Sequence, residues 1–245
     1  MPFEQMEISP VDNVKLLKHS VLYKLNVYRQ MFYSLIIYQI VGLLFISFSN
    51  GGTSMSMGNM SVELEYKNAG ILFFITVLWM LVSSSQLALR QSHSLMSSVI
   101  TNHKIHHYSN ILILLLLSTV GAVTIILLNE LNLLYVYLLG DVYIVVPSFM
   151  DLVQGFLTVF LYLLFAGSLV YFITNFVMYL NKLGYFILFF IFMACLIPSI
   201  SLIVFFNYFI VTETGVLLFV IKIGVIISFL LMCSVVITRK MEVRR

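Results

Sequence analysis

The sequence predicts an all-α integral membrane protein. It should form a single transmembrane domain over residues 1–245, with six membrane-crossing helices behind an amphipathic N-terminal helix and both termini cytoplasmic. Three observations lead there. Hydrophobic residues make up 61% of the chain and charged residues only 9%, against about 25% charged in ordinary soluble domains. The mean hydropathy is +1.06, which would leave a water-soluble fold almost no polar surface with which to cover itself. Six stretches are each long enough for a bilayer core about 30 Å thick, which takes about 20 apolar residues of helix.

Residues 11–29, "VDNVKLLKHSVLYKLNVYR", carry four basic residues and are too polar to cross. At 100° per residue, Val14, Leu17, Val21, Leu25 and Tyr28 share one face, with Asp12, Lys15, Lys18, His19, Asn26 and Arg29 gathered opposite. A helix so divided is expected to lie in the membrane interface, apolar side toward the acyl chains and lysines at the headgroups. The expected spans follow at about 31–48, 69–89, 109–128, 152–179, 185–209 and 216–238. The first ends in "FSNGGTSMSMGN", whose Gly and Ser residues break a helix. It lies too far from the N-terminus, without a small-residue cleavage site, to be a signal peptide.

Orientation follows from the basic residues. With both ends inside, the cytoplasmic segments hold Lys15, Lys18, Lys24, Arg29, Arg90, Lys104, Lys182, Arg239, Lys240, Arg244 and Arg245, out of 13 Lys and Arg in the chain. The outer segments hold Lys67 together with Glu63, Glu65, Glu130, Asp141, Asp151 and Glu213. Residues 129–151 are apolar, but Gly140–Asp141 divides them into two pieces too short to cross, so they read as an outer, interface-lying or re-entrant segment.

Between the second and third spans lies "RQSHSLMSSVITNHKIHHYSN", residues 90–110, with four of the five histidines. His103, His106 and His107 have i, i+3, i+4 spacing, which suits Zn²⁺ or Cu²⁺ on a helix face. The stretch offers no carboxylate or cysteine, however, and Lys104 stands among the histidines, so no metal is expected. A general base would find no nucleophile motif or acidic partner here. The residues fit a docking surface better. Leu95, Met96, Val99 and Ile100 form an apolar stripe on a short helix bracketed by Arg90 and Lys104, and such a stripe asks for either a membrane surface or a partner's groove.

An amphipathic elbow, six spans with both ends inside, and a helical cytoplasmic loop after the second span together resemble the membrane subunit of ABC transporters of the type-2 permease family. The resemblance covers the whole chain and rests on layout. It implies that "SHSLMSSVIT" (92–101) is the coupling helix, which docks on an ATPase subunit through Leu95, Met96, Val99 and Ile100 with Arg90 and Lys104 at the rim. It also implies two ATPase copies that bind ATP and Mg, and a second permease copy or sister subunit. The aromatic-rich spans and short outer loops look like exporters of amphipathic peptides, the phenol-soluble modulin exporters among them, in a bacterial cytoplasmic membrane. The chain itself is not expected to be an enzyme. None of its 12 glycines is followed by Lys, so the phosphate-cradling G-x-x-x-x-G-K-[ST] loop is absent. The competing reading is a membrane protein that gives immunity against a peptide or toxin without transporting it. No nucleic-acid partner is suggested by the pI of about 8.8.

Other residues carry weaker signals. Lys222 is the one charge well inside a span; it either snorkels to the outer headgroups or lines a path for acidic groups of a peptide cargo. "MSMGNM" holds Met55, Met57 and Met60 at thioether spacing that can capture Cu(I), although Met is frequent throughout, 13 in all. "SSSQ" (83–86), "STVGA" (118–122) and "FAGS" (165–168) read as helix-packing sites. Cys195 and Cys233 lie in apolar runs and suggest no disulfide.

Overall fold

The computed structural model describes residues 10–48, 51–57, 60–66, 70–89, 103–139, 148–180 and 216–243. Six helices appear among them: α1 (Pro10–Val27), α2 (Arg29–Phe48), α3 (Gly70–Leu89), α4 (His103–Leu139), α5 (Phe149–Leu180) and α6 (Val216–Val243). Four are long and apolar enough to cross a membrane, over Gly70–Leu89, Ile105–Tyr135, Phe149–Leu180 and Leu218–Thr238; Arg29–Phe45 is a shorter apolar helix. The expected fifth span, 185–209, lies outside the described residues.

The fold is helical, as expected, with two local features that the sequence reading did not contain. The Gly/Ser/Met stretch after α2 is an antiparallel hairpin, β1 (Gly51–Met57) and β2 (Met60–Tyr66). The strict alternation of "MSVELEY" is the period-two pattern of a two-faced strand. Second, α4 runs unbroken from His103 to Leu139, about 55 Å at 1.5 Å per residue. The first half of 129–151 therefore continues this helix instead of forming a separate re-entrant piece. No proline interrupts it. The same helix takes in the last residues of the expected 90–108 loop. α5 begins with a reciprocal cap: the Asp151 carboxylate accepts from the Ser148 backbone N–H at 3.0 Å and its hydroxyl at 2.7 Å, while the Asp151 N–H donates back at 3.3 Å.

Contacts fix the helix directions. Gly42 of α2 meets Leu72 of α3, and the Trp79 indole donates to Met31 O at 3.1 Å and Ser34 Oγ at 3.0 Å, so α2 and α3 are antiparallel. Gly121 faces Leu163, and Asn110 bonds Tyr171, which makes α4 and α5 antiparallel. The Tyr162 and Phe219 rings pack at a tilt with centroids 5.4 Å apart, and Asn175 bonds Ser234, which makes α5 and α6 parallel. The N-terminal helix, the start of α4, the end of α5 and the end of α6 consequently share one end of the bundle.

The core is centred on α3. Trp79, Met80, Leu87, Ile113, Leu114, Leu117 and Leu163 are all buried. Close approach depends on glycine at two places. A Cβ on Gly121 would stand 3.0 Å from Leu163 and 3.5 Å from the Trp79 ring. One on Gly167 would meet the Met80 methyl and lie 3.0 Å from Ser84 Oγ. The small residues of "STVGA" and "FAGS" thus act as packing sites within the chain, as lipid-embedded helices need. Ser84 returns its hydroxyl to its own helix, donating to Met80 O at 2.7 Å.

Candidate functional site: a buried polar joint

The most polar interior of the described chain lies where α1 crosses the first turns of α4. α1 packs on α4 through an arc that holds Ser20, Lys24 and Tyr28, and the seam continues into α2 as Met31, Leu35 and Gln39. All six are buried and recur every three or four residues. Only Tyr28 separates the two helices; its N–H donates to Lys24 O at 2.8 Å, and Met31 N–H donates to Tyr28 O at 2.8 Å. Leu17, Val21 and Leu25 of the expected elbow face are half-buried at the edge of this arc, and Val14 is 68% exposed. The packed face is therefore turned toward Lys24 relative to the apolar face read from the sequence. Lys15, Lys18 and His19 remain exposed.

Lys24 is fully buried. Its Nζ donates to His106 O at 2.9 Å, Ser109 Oγ at 2.5 Å and Asn110 Oδ1 at 2.5 Å. An ammonium group has three protons and here three acceptors. The Ser109 hydroxyl accepts from Ser20 at 3.1 Å and from Lys24, and donates to His106 O at 2.7 Å, which uses its full capacity. Asn110 has the opposite polarity at its other end: Nδ2 donates to the Tyr171 hydroxyl at 3.0 Å. That hydroxyl lies 3.4 Å from His107 Nδ1. One turn further along α5, Asn175 donates to Tyr171 O at 2.9 Å and to Ser234 Oγ at 2.8 Å, which reaches α6. A chain of hydrogen bonds thus joins α1, α4, α5 and α6 at one end of the bundle, passing through the Tyr171 backbone carbonyl. The Asn175 Oδ1 is buried without a hydrogen-bond partner among the described residues.

None of the three Lys24 acceptors is a carboxylate. Desolvation of its charge is consequently uncompensated, and burial lowers its pKa from 10.5 to about 7. The sign of the linkage follows. Between about pH 7 and 10.5 the unfolded chain holds the Lys24 proton and the folded chain releases it, so stability should rise with pH across that window. Below pH 7 both states are protonated and this contribution is flat. Thermal unfolding in nanodiscs should show the slope in the wild type and lose it in Lys24→Met; an equal slope in the variant would remove Lys24 as its source.

The residues singled out by the sequence divide into three groups. Arg90, Leu95, Met96, Val99 and Ile100 lie outside the described residues, and Lys104 is placed only as backbone in the first turn of α4. His106 and His107, expected on a docking surface, are instead buried in the joint, their rings 6.2 Å apart and nearly perpendicular. Lys222 is half-buried near the far end of α6 from the joint. Lys24 and the Asn110–Tyr171–Asn175–Ser234 chain were not anticipated. Their signal was available as Ser20, Lys24 and Tyr28 at four-residue spacing, matched by the adjacent polar pair Ser109–Asn110 at the head of an apolar helix.

In comparisons with known proteins, no family model, no curated protein and no solved structure matches the chain.

Proposed function

We propose that this chain is the membrane-spanning subunit of an ATP-driven exporter, similar in layout to type-2 ABC permeases, which moves hydrophobic or amphipathic peptides out across a bacterial cytoplasmic membrane. ATP and Mg belong in this reading to a separate ATPase subunit, present in two copies. A second copy of the chain or a sister permease completes the path. The observation that carries the reading is the Lys24 joint. It fastens an amphipathic N-terminal helix to the helix that starts directly after the 90–102 stretch, at the end of the bundle shared with the end of α6. A motor docked on 90–102 would act at the head of α4, and the joint would carry that displacement to α1, α5 and α6 together.

Two further observations support it. Tyr33, Ile36, Phe74, Leu127, Phe229 and Met232 are large apolar residues exposed by 54–71% on the bundle's outside, which suits lipid and not water. The parallel run of α5 and α6 needs a returning crossing between Leu180 and Val216, and the apolar stretch 185–209 is long enough to supply it. With that crossing the count is six, and the joint lies at the end where the basic residues gather, which is the cytoplasmic side.

The test is co-purification. The wild-type chain should bring down an ABC ATPase from its own membrane. Leu95→Asp, which places a charge on the proposed apolar anchor, should lose the ATPase while the chain still inserts, since truncated or disrupted anchors typically cost about 2 kcal/mol or more. Arg90→Ala, at the rim, should be much milder. Undiminished capture by Leu95→Asp would remove the docking assignment.

A further inference from the structure

Of the three acceptors around Lys24, only one can reverse its role. The Lys24 Nζ donates to His106 O, Ser109 Oγ and Asn110 Oδ1. A protonated lysine supplies three N–H groups and serves them all; a neutral one supplies two and turns a lone pair to the third. A carbonyl oxygen has no proton to give back. The Ser109 hydroxyl already gives its proton to His106 O. Asn110 differs, because half a turn of its amide exchanges the Oδ1 acceptor for the Nδ2 donor.

Turning that amide has a consequence further along the joint. With Lys24 charged, Asn110 Nδ2 donates to the Tyr171 hydroxyl. The hydroxyl proton then serves His107 Nδ1, 3.4 Å away, which suits a ring protonated at Nε2. With Lys24 neutral, Nδ2 donates to Nζ and Oδ1 faces Tyr171, whose hydroxyl proton swings to it. His107 Nδ1 now meets an oxygen lone pair, which favours the tautomer protonated at Nδ1. The number of hydrogen bonds along this path is unchanged. Their direction is reversed.

The surroundings leave the Lys24 charge free to change. The titratable side chains around it are Tyr28 on its own helix, His106 and His107 on α4, and Tyr171 on α5. Glu130 of α4 and Asp151 of α5 belong to the opposite end of the bundle. Burial without a carboxylate partner brings the Lys24 proton into exchange at about pH 7.

We propose that the joint is a proton-operated switch: one proton on Lys24 sets the direction of the hydrogen bonds through Asn110 and Tyr171, and thereby the tautomer of His107. The proton leaves Nζ for solvent as α1 opens locally from α4. At His107 one proton is released from Nε2 as another is taken up at Nδ1, so the ring stays neutral. His107 lies in the first turns of α4, directly after the 90–102 stretch, so the state of Lys24 is felt at the head of that helix. The switch needs neither the ATPase nor the peptide cargo, and it stands or falls separately from the transport function.

The test is nitrogen-15 NMR of the full chain in nanodiscs, with lysine and histidine labelled, on both sides of pH 7. The Lys24 and His107 signals are assigned by their loss in Lys24→Met and His107→Asn. In the wild type both should change with one half-point at about pH 7, and the His107 ring should pass from Nε2–H to Nδ1–H as pH rises. Lys24→Arg, which stays charged, should hold the ring in its low-pH tautomer throughout. Tyr171→Phe cuts the path: Lys24 should still titrate, and the ring should no longer follow it. The switch is refuted if Lys24 does not titrate in this range, if the ring merely gains a second proton without exchanging tautomers, or if the tautomer change survives Tyr171→Phe.

Discussion

Asn110→Leu is expected to loosen α1 and α5 together, because this one amide holds both. Its Oδ1 accepts from the buried Lys24 ammonium and its Nδ2 donates to Tyr171. A hydrogen bond to a charged group contributes about 1.5–3 kcal/mol and a neutral one about 1 kcal/mol, so the combined loss should approach 3 kcal/mol. Leucine is close to asparagine in size, so the loss would not come from a cavity. The readout is thermal unfolding in nanodiscs together with hydrogen exchange of the α1 amides. The double variant Lys24→Met/Asn110→Leu separates the causes. Removing the charge along with its acceptor leaves no stranded ammonium, and the pair should be more stable than Asn110→Leu alone. Simple additivity of the two changes would show that Lys24 and Asn110 do not interact.

Trp79→Ala should cost as much or more. Trp79 is the largest of the fully buried side chains and the only tryptophan, and it meets both α2 and α4. Its ring lies 3.5 Å from the Cβ position of Gly121, and its indole N–H reaches Met31 O and Ser34 Oγ in the first turns of α2. Truncation of a buried Trp costs about 3–5 kcal/mol in soluble cores. Between helices already in lipid the transfer part is small, and packing contacts supply the energy; about 3 kcal/mol is the expected loss. Trp79→Phe keeps most of the ring contacts and drops the two hydrogen bonds, so it should lose about 1 kcal/mol. If Trp79→Ala unfolds no earlier than wild type, the level of Gly121 is not where this bundle is held together.

The helical class and the long apolar helices were legible because lipid imposes a simple rule: about 20 apolar residues and satisfied backbone hydrogen bonds. The joint was not legible, for an opposite reason. A lysine on a short amphipathic helix is read as solvated, because lysine is almost never fully buried, and Lys24 joined the basic residues assigned to the headgroups. Only the pairing of α1 with α4 brings three acceptors to it, and that pairing joins residues more than 80 positions apart in the chain. Asn175 was overlooked similarly. A single amide near the end of an apolar helix has no visible partner until α6 lies beside it and brings Ser234. The hairpin was hidden by composition, since Gly and Ser argued for a break while the alternation of 60–66 argued for a strand. Local pattern sets the elements; contacts between distant segments set the polar interior.

The central claim is that a motor acting at the Lys24 end drives peptide through this chain, and it is tested most directly by peptide-stimulated ATP hydrolysis. The chain is reconstituted in proteoliposomes with any ATPase recovered in the co-purification, and hydrolysis is followed as amphipathic peptide is added. The account predicts that peptide raises the rate in the intact complex, that the rise disappears in Leu95→Asp, and that Asn110→Leu lowers it while the ATPase stays bound. A hydrolysis rate indifferent to peptide and to both substitutions, or no ATPase in the purified material, would contradict it.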